Sequence, residues 1–142
     1  MLPSVRAIAP FTVSSFVPAE ITPPPADVQT GRPVGLAIIT KQFDGQITGT
    51  SVTLFTAAFD QAAGAGTYVA MESFEGTVNG MTGTLNFAHS ATTTGTDRLA
   101  EFFTIVPGSG TGELDGITGT GGLRVTEDGE HTLWFDYEMP TD

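Results

Sequence analysis

Residues 68–89 have the sequence YVAMESFEGTVNGMTGTLNFAH, in which two alternating apolar and polar runs flank Asn79-Gly80. Asn-Gly favours the two-residue type I′ turn of a β-hairpin, because both of its central residues must adopt positive φ. Counting outward from such a turn places Glu72 opposite Phe87. The stretch therefore predicts an antiparallel hairpin, and the register of that hairpin assigns each side chain to one of two faces.

One face of this hairpin is mostly apolar, and we predict that it points to the interior. Its members are Tyr68, Ala70, Glu72, Phe74, Leu85, Phe87 and His89. Glu72 and His89 are diagonal neighbours on this face, with backbones about 7–8 Å apart, which long side chains can bridge. A bulge near residues 81–83 would reverse the assignment of the faces.

The same period-two alternation recurs along the chain, in runs bounded by Gly, Pro, Asn and Asp. The runs are Ile8–Val17, Val34–Phe43, Ile47–Phe59, Thr67–Val78, Met81–Ser90, Arg98–Val106, Thr111–Val125 and His131–Glu138. No segment has a sustained helical period. The pattern predicts an all-β fold, a closed antiparallel barrel of about eight strands, formed by one domain over residues 1–142.

Two features interrupt the alternation. The Pro-rich stretch at residues 22–33 cannot be a central strand, so it either covers one mouth of the barrel or is a plain surface connection. A short phrase recurs as DGQITGT at 44–50, NGMTGT at 79–84 and DGITGT at 115–120. We interpret each copy as a hairpin corner, with the second glycine suited to a bulge or bend.

Composition excludes several classes of function. The chain has 16 acidic and five basic residues, a net charge of −11, and such a surface repels nucleic acids and anionic membranes. It has no cysteine and only two histidines, so thiolate chemistry and a three-histidine zinc site are excluded, and we expect neither metal nor cofactor. No apolar run approaches the roughly 20 residues that span a membrane, and no signal peptide is recognised. We therefore expect a cytoplasmic protein.

Several phrases resemble a bacterial family known only as domain of unknown function 3224. They are FTVSSF at 11–16, ITKQFDGQITGTS at 39–51, residues 68–89 as quoted above, IVPGSGTGELDGITGTGG at 105–122 and DGEHTLWFDYEM at 128–139. The resemblance covers most of the chain, and the phrase PGSGTGEL is the most specific part. The sequence departs from the family in the Pro-rich loop, where acidic residues are usual, and at Glu101, where a small residue is expected.

The resemblance implies a calycin-like barrel of the allene oxide cyclase type. The wider group of such barrels includes cyclases and isomerases that act on hydrophobic intermediates. The resemblance therefore implies a fold and a range of activities rather than one reaction, because a fold by itself does not determine function.

The candidate site follows from the predicted inner face. Glu72, His89 and Tyr68 are the candidate catalytic residues, because a carboxylate among aromatic side chains should have a raised pKa and can act as an acid or a base. The candidate substrate-binding residues are Phe74, Phe87, Glu101, Phe103, Phe55, Leu133 and Phe135. The alternative is that Glu72 and His89 are a satisfied polar pair inside a filled barrel. Phe102, Thr104 and Val106 form an alternative inner face to that of Glu101.

Three functions remain open from the sequence. The leading hypothesis is a barrel that binds one hydrophobic small molecule, acting as a cofactor-free cyclase or isomerase on a polyketide-like or polyene intermediate. The alternatives are a non-catalytic lipocalin-like binding protein and a structural barrel with no ligand. A homodimer formed through Trp134, Met71 and Val69 on the outer face is a further expectation.

Overall fold

The computed structural model describes residues 3–141 as eight antiparallel β-strands, so the all-β prediction is confirmed. The described residues contain no α-helix and only a short 3₁₀ turn at Gly112–Leu114. The strands are β1 (Val5–Ala19), β2 (Val34–Asp44), β3 (Ile47–Asp60), β4 (Ala65–Val78), β5 (Met81–Thr93), β6 (Leu99–Ile105), β7 (Thr118–Val125) and β8 (His131–Glu138).

The eight strands form one ringed sheet, in which each strand pairs with the next and β8 pairs with β1. The hairpin of β4 and β5 has the predicted register, with Glu72 opposite Phe87. Its turn is formed by Asn79 (φ 47°) and Gly80 (φ 82°) as the Asn-Gly pair predicts. The predicted inner face of this hairpin is therefore the one that points into the ring.

The two ends of the ring differ in how they are filled. We call the end with the β2–β3 and β4–β5 turns the closed end, and the opposite end the open end. Aromatic and aliphatic side chains fill the closed end, and the largest of them are fully buried. They include Phe74, Phe87, Phe135, Ile47, Leu85, Leu133 and Val78. The buried polar side chains of Lys41, Ser51, Glu72 and His89 lie beyond this layer, towards the open end.

The predicted seventh strand, Thr111–Val125, begins too early in the sequence. β7 begins at Thr118, and residues 106–117 run beside β5 as an irregular connection. The Val106 amide donates to the Asn86 carbonyl at 2.9 Å, and the Thr111 amide donates to the Thr84 carbonyl at 2.9 Å. This segment contains the PGSGTGEL phrase, so the most specific part of the sequence has a structural role at the closed end.

The connection ends by placing two apolar side chains into the ring. Leu114 and Ile117 are both fully buried, on either side of Asp115-Gly116. The third copy of the repeated phrase is therefore a turn inside a long connection, and the prediction that it is a hairpin corner is wrong. The Asp-Gly dipeptide predicts only a local turn, whereas the distance in sequence between the two flanking strands depends on the whole connection.

β6 does not keep strict alternation, which changes the position of Glu101. The pairing of β5 with β6 shifts between Ser90 and Thr92, and Ala100 has a positive φ of 50°. Alternation holds only from Phe103 onward, and the Glu101 side chain is 42% exposed. The prediction that Glu101 points inward is therefore wrong, because a local irregularity changes which face each residue occupies.

The outer face does not bring together the three residues proposed for a dimer contact. Val69 and Met71 are exposed on β4. Trp134 lies on β8, on the far side of the ring, and its indole is covered by the guanidinium groups of Arg6 and Arg124 at 5.1 and 5.5 Å. These residues do not form one patch, and a homodimer stays a prediction. Within residues 3–141, no helix is long and apolar enough to cross a membrane.

Candidate functional site

Glu72 lies at the centre of a buried hydrogen-bond network. Its side chain is 0% exposed and its two carboxylate oxygens accept three bonds. Lys41 Nζ donates to Oε1 at 2.5 Å, and His89 Nε2 lies 2.7 Å from the same oxygen. Ser51 Oγ donates to Oε2 at 2.7 Å. The carboxylate is thus paired with one cation and satisfied by two further donors, as a buried charge requires.

The network continues from His89 towards the open end. Tyr68 Oη lies 2.7 Å from His89 Nδ1, and Arg98 donates through Nη2 to the same hydroxyl at 2.8 Å. An ionised carboxylate only accepts, so His89 Nε2 carries the proton and Nδ1 accepts from the Tyr68 hydroxyl. The Glu72 network, as we call it, consists of Lys41, Ser51, Tyr68, Glu72, His89 and Arg98.

Period-two alternation on adjacent strands explains this convergence. Lys41 of β2 lies between the inward residues Ile39 and Phe43, and Ser51 of β3 and Glu72 of β4 occupy inward positions on the next two strands. Aromatic neighbours fix the imidazole of β5. The rings of Phe87 and Phe103 both stack on His89, with centroids 5.8 and 5.7 Å away. The polar groups are therefore held by strands rather than by loops.

The pKa of Glu72 is shifted in the direction opposite to the one predicted from the sequence. Burial by itself raises the pKa of this carboxyl. The hydrogen bond from His89 and the charge of Lys41 outweigh burial and lower the pKa to about 2. The predicted rise is wrong, because the cation that opposes it comes from a strand that the hairpin pattern does not include. Glu72 is therefore an anion at neutral pH rather than a proton donor.

Burial also sets the protonation states of His89 and Tyr68. It lowers the pKa of His89 below the usual value, although the hydrogen bond and charge of Glu72 act in the opposite direction. Burial raises the pKa of Tyr68, against the hydrogen bond from Arg98. At pH 7 the imidazole is therefore neutral and the phenol carries its proton. Both groups are in the state in which a proton can pass from the hydroxyl to the imidazole.

An apolar pocket of about 450 Å³ lies at the open end and is lined in part by Tyr68. Pro18, Ala37, Phe55 and Ala57 are among its walls, and the ring of Phe55 stacks on that of Tyr68 with centroids 5.4 Å apart. Glu72 and His89 do not line the pocket. Tyr68 is therefore the one member of the Glu72 network that faces the pocket.

Comparison with known proteins agrees with this architecture. A family model described as "Protein of unknown function (DUF3224)" matches residues 7–137. The chain belongs to the DUF3224 family. A crystal structure of a DUF3224 protein of unknown function from Shewanella oneidensis MR-1 has 25% sequence identity and a TM-score of 0.83, and the match covers 98% of this chain and 99% of that one. No curated protein matches the sequence.

The structure divides the predicted site residues of this DUF3224 protein into groups. Tyr68, Glu72 and His89 come together as predicted from the hairpin. Phe55 lines the pocket, and Phe103 packs on His89. Phe74, Phe87, Leu133 and Phe135 lie in the packed closed end, where they contact one another, and none of them lines the open-end pocket. Glu101 lies outside the ring, as described above.

Three members of the Glu72 network were missed by the sequence reasoning. Lys41 is the easiest to recognise in retrospect, because it occupies an inward position between apolar residues of a strand. Ser51 has the same inward spacing but no charge to mark it. Arg98 follows a loop, and only the fold brings it to Tyr68. Elsewhere in the described part of this DUF3224 chain, no group of three or more His, Cys, Asp or Glu side chains is arranged to hold a metal ion.

Proposed function

We propose that this protein binds a hydrophobic small molecule at the open end, and that Tyr68 exchanges a proton with it as in a cofactor-free isomerase or cyclase. One observation carries the proposal. Tyr68 lines the apolar pocket, and its hydroxyl is bonded to a neutral histidine, which is in turn bonded to a buried carboxylate. An apolar pocket with a few placed polar groups is typical of sites that bind small molecules, and a hydrogen-bonded chain of titratable groups at such a pocket suits proton transfer.

The pocket suits a ligand of modest size. Its volume of about 450 Å³ lies within the range of about 300–1,000 Å³ that is typical of small-molecule sites. Phe16, Leu36, Phe55 and Phe59 contribute carbon surface. Binding would remove apolar surface of both partners from water, which is the main source of affinity for such ligands.

The proton path has a direction set by the hydrogen bonds. The oxygen of Tyr68 takes a proton from an activated carbon of the ligand while its own proton moves to His89 Nδ1. The resulting imidazolium is stabilised by the Glu72 carboxylate. Return of the proton to another carbon of the ligand gives an isomer, and every proton is accounted for without a cofactor. A general base of this kind contributes about 10²–10⁴-fold to a rate.

The two permanent cations of the Glu72 network, Lys41 and Arg98, have separate roles in this scheme. Lys41 balances the charge of the carboxylate, so that it can remain ionised while buried. Arg98 donates to the Tyr68 oxygen and stabilises negative charge that develops there when the proton leaves. The allene oxide cyclase type of barrel, which the sequence resemblance implies, would supply the rigid wall that this chemistry needs. The pairing of β1 with β8 closes the sheet into a ring and so supports the presence of such a wall.

A non-catalytic carrier is the second candidate. The walls of the pocket are partly open, and Phe16 remains 57% exposed at its rim. An open apolar site favours exchange of a ligand with its surroundings, whereas acid–base catalysis benefits from exclusion of water. Both candidates require the pocket, and they differ in whether Tyr68 moves a proton.

Filling the pocket tests whether it binds a ligand. We expect Ala57→Phe to weaken binding of the neutral fluorescent probe N-phenyl-1-naphthylamine at least about tenfold, because the new ring occupies the space of the ligand. Ala58→Phe is the matched control, since Ala58 is the next residue of β3 and does not line the pocket. Titration followed by probe emission gives the Kd. Equal weakening in both variants would place the probe elsewhere.

Hydrogen exchange tests whether Tyr68 moves a proton. The protein is expected to speed deuterium incorporation next to the carbonyl of 2-decanone in D₂O, an enolisable apolar probe, as followed by NMR. Tyr68→Phe should remove this acceleration by about 10²-fold or more, because the base is lost while the ring and the pocket remain. His89→Gln should reduce it as well. Unchanged exchange in Tyr68→Phe, with the probe still bound, would favour the carrier.

A further inference from the structure

A second depression adjoins the open-end pocket and differs from it in charge. It lies between β6 and β7, which share a single pair of opposed residues, Ile105 and Gly119. Tyr68 and Thr93 line both this groove and the apolar pocket. The groove also contains two of the five basic residues of the chain, Arg98 and Arg124. A ligand in the pocket can therefore extend past Tyr68 into a region that contains two guanidinium groups.

The basic residues of this acidic chain differ in how they are paired. Arg6 donates twice to Asp136, at 2.8 and 2.9 Å. Lys41 is bonded to Glu72, and Arg32 lies 3.6 Å from Asp60. In the described part of the chain Arg124 has no carboxylate within ion-pair distance, and Arg98, like Arg32, lies near a carboxylate without a hydrogen bond to it.

Arg98 has donors that the protein does not use. Its hydrogen bond is the one from Nη2 to Tyr68, although a guanidinium has five N–H groups. Its Nε is shielded from solvent and has no acceptor among the described residues. The nearest carboxylate, Glu101, lies 3.7 Å from Nε, beyond hydrogen-bond distance. A buried donor without a partner costs free energy, and a carboxylate held by two parallel N–H bonds would remove that cost.

We propose that this groove binds the carboxylate head of the ligand whose apolar part fills the pocket, so that the ligand is an amphipathic acid. The inference rests on the proposed function. Arg98 is the main contact, and Arg124, exposed beside Trp134, adds a second positive charge. Asp97, Glu101 and Glu127 also face the groove. Asp97 already accepts from the amide and hydroxyl of Thr94, and the ligand would replace Glu101 as the partner of Arg98.

The test compares two probes with the same tail, decanoate and 1-decanol, in competition with N-phenyl-1-naphthylamine at pH 7. Emission of Trp134, the single tryptophan of the chain, reports occupation of the groove that it lines. We expect decanoate to bind more tightly than 1-decanol and to change Trp134 emission. Arg98→Gln should weaken decanoate about tenfold more than it weakens 1-decanol, and Arg124→Gln should weaken decanoate about twofold to fivefold.

Two further variants make the result specific. Glu101→Gln should tighten decanoate binding, because it removes a competitor for Arg98 and a like charge. Arg6→Gln is the matched control, since the guanidinium of Arg6 is already bonded to Asp136. If 1-decanol binds as tightly as decanoate, the head-group inference is overturned and the pocket remains. If neither probe binds, the proposed function itself fails. If Arg98→Gln does not fold, the effects of Arg124→Gln and Glu101→Gln on decanoate binding still test the head-group inference.

Discussion

Replacing Glu72 with glutamine is expected to lower the free energy of unfolding by about 3–5 kcal/mol, because it leaves the buried ammonium of Lys41 without a counterion. Lys41 is 5% exposed and has its one carboxylate partner in Glu72 among the described residues. Glutamine keeps the shape of the side chain and can still bond to His89 or Ser51. The loss of stability therefore measures the effect of removing the negative charge rather than the effect of a cavity. Urea denaturation at pH 7 measures it.

Two comparisons show whether the ion pair is responsible. Glu75→Gln changes an exposed carboxylate three residues along β4 and is expected to shift stability by no more than about 0.5 kcal/mol. The double variant Lys41→Met with Glu72→Gln should recover most of the loss, because it removes the unpaired charge. A single variant that costs less than about 1 kcal/mol would mean that water reaches Lys41 in the folded protein.

The pH dependence of the same variant has a defined sign. The folded pKa of Glu72 is about 2, below its usual value of 4.5. A lowered pKa means that the stabilising contribution of the carboxylate is complete above pH 4.5 and is lost as the pH falls towards 2. The difference between the wild type and Glu72→Gln should therefore shrink over this range. A difference that stays constant down to pH 2 would contradict the assignment.

Gly110→Ala is the second substitution with a large expected effect, about 3 kcal/mol or more. A Cβ at this position would lie 1.9 Å from the carbonyl oxygen of Leu114 and 3.0 Å from a methyl group of Ile117. The first of these atoms belongs to the backbone, so no side-chain rotation relieves the contact. The 3₁₀ turn would have to move, and with it Leu114 and Ile117, which close the end of the ring.

Thermal unfolding followed by circular dichroism measures this effect. At roughly 2–4 °C per kcal/mol for a domain of this size, the Tm of Gly110→Ala should fall by about 6–12 °C. Gly35→Ala is the matched control, because a Cβ there meets nothing within 4 Å and its φ is not positive. We expect that control to change stability by no more than about 1 kcal/mol, in the stabilising direction. An equal loss in both variants would contradict the close packing of Gly110 against Leu114 and Ile117.

Prediction from sequence succeeded where the information is local. The Asn79-Gly80 turn fixes the register of β4 and β5, and the register places Glu72 and His89 on one inward face. A bond of 2.7 Å between these two side chains confirms that interpretation. Turn chemistry and period-two alternation act over a few residues, so one hairpin is sufficient to reveal them.

Prediction failed where a local irregularity or a distant strand decided the outcome. Positive φ at Ala100 and a shifted register beside it turned Glu101 outward, and the alternation of β6 contains no sign of either. The irregular path of residues 106–117 depends on contacts with β5 that no pattern within the segment encodes.

The sequence by itself determined the strand content, the central hairpin and the pairing of Glu72 with His89. Only the tertiary structure decided that Lys41 neutralises that carboxylate, that Arg98 reaches Tyr68 and that an apolar pocket forms against Tyr68. The physical reason lies in the range of the forces. Turns and alternation are encoded by neighbours along the chain, whereas the charge, pKa and accessibility of a buried group depend on residues that closure of the ring brings beside it.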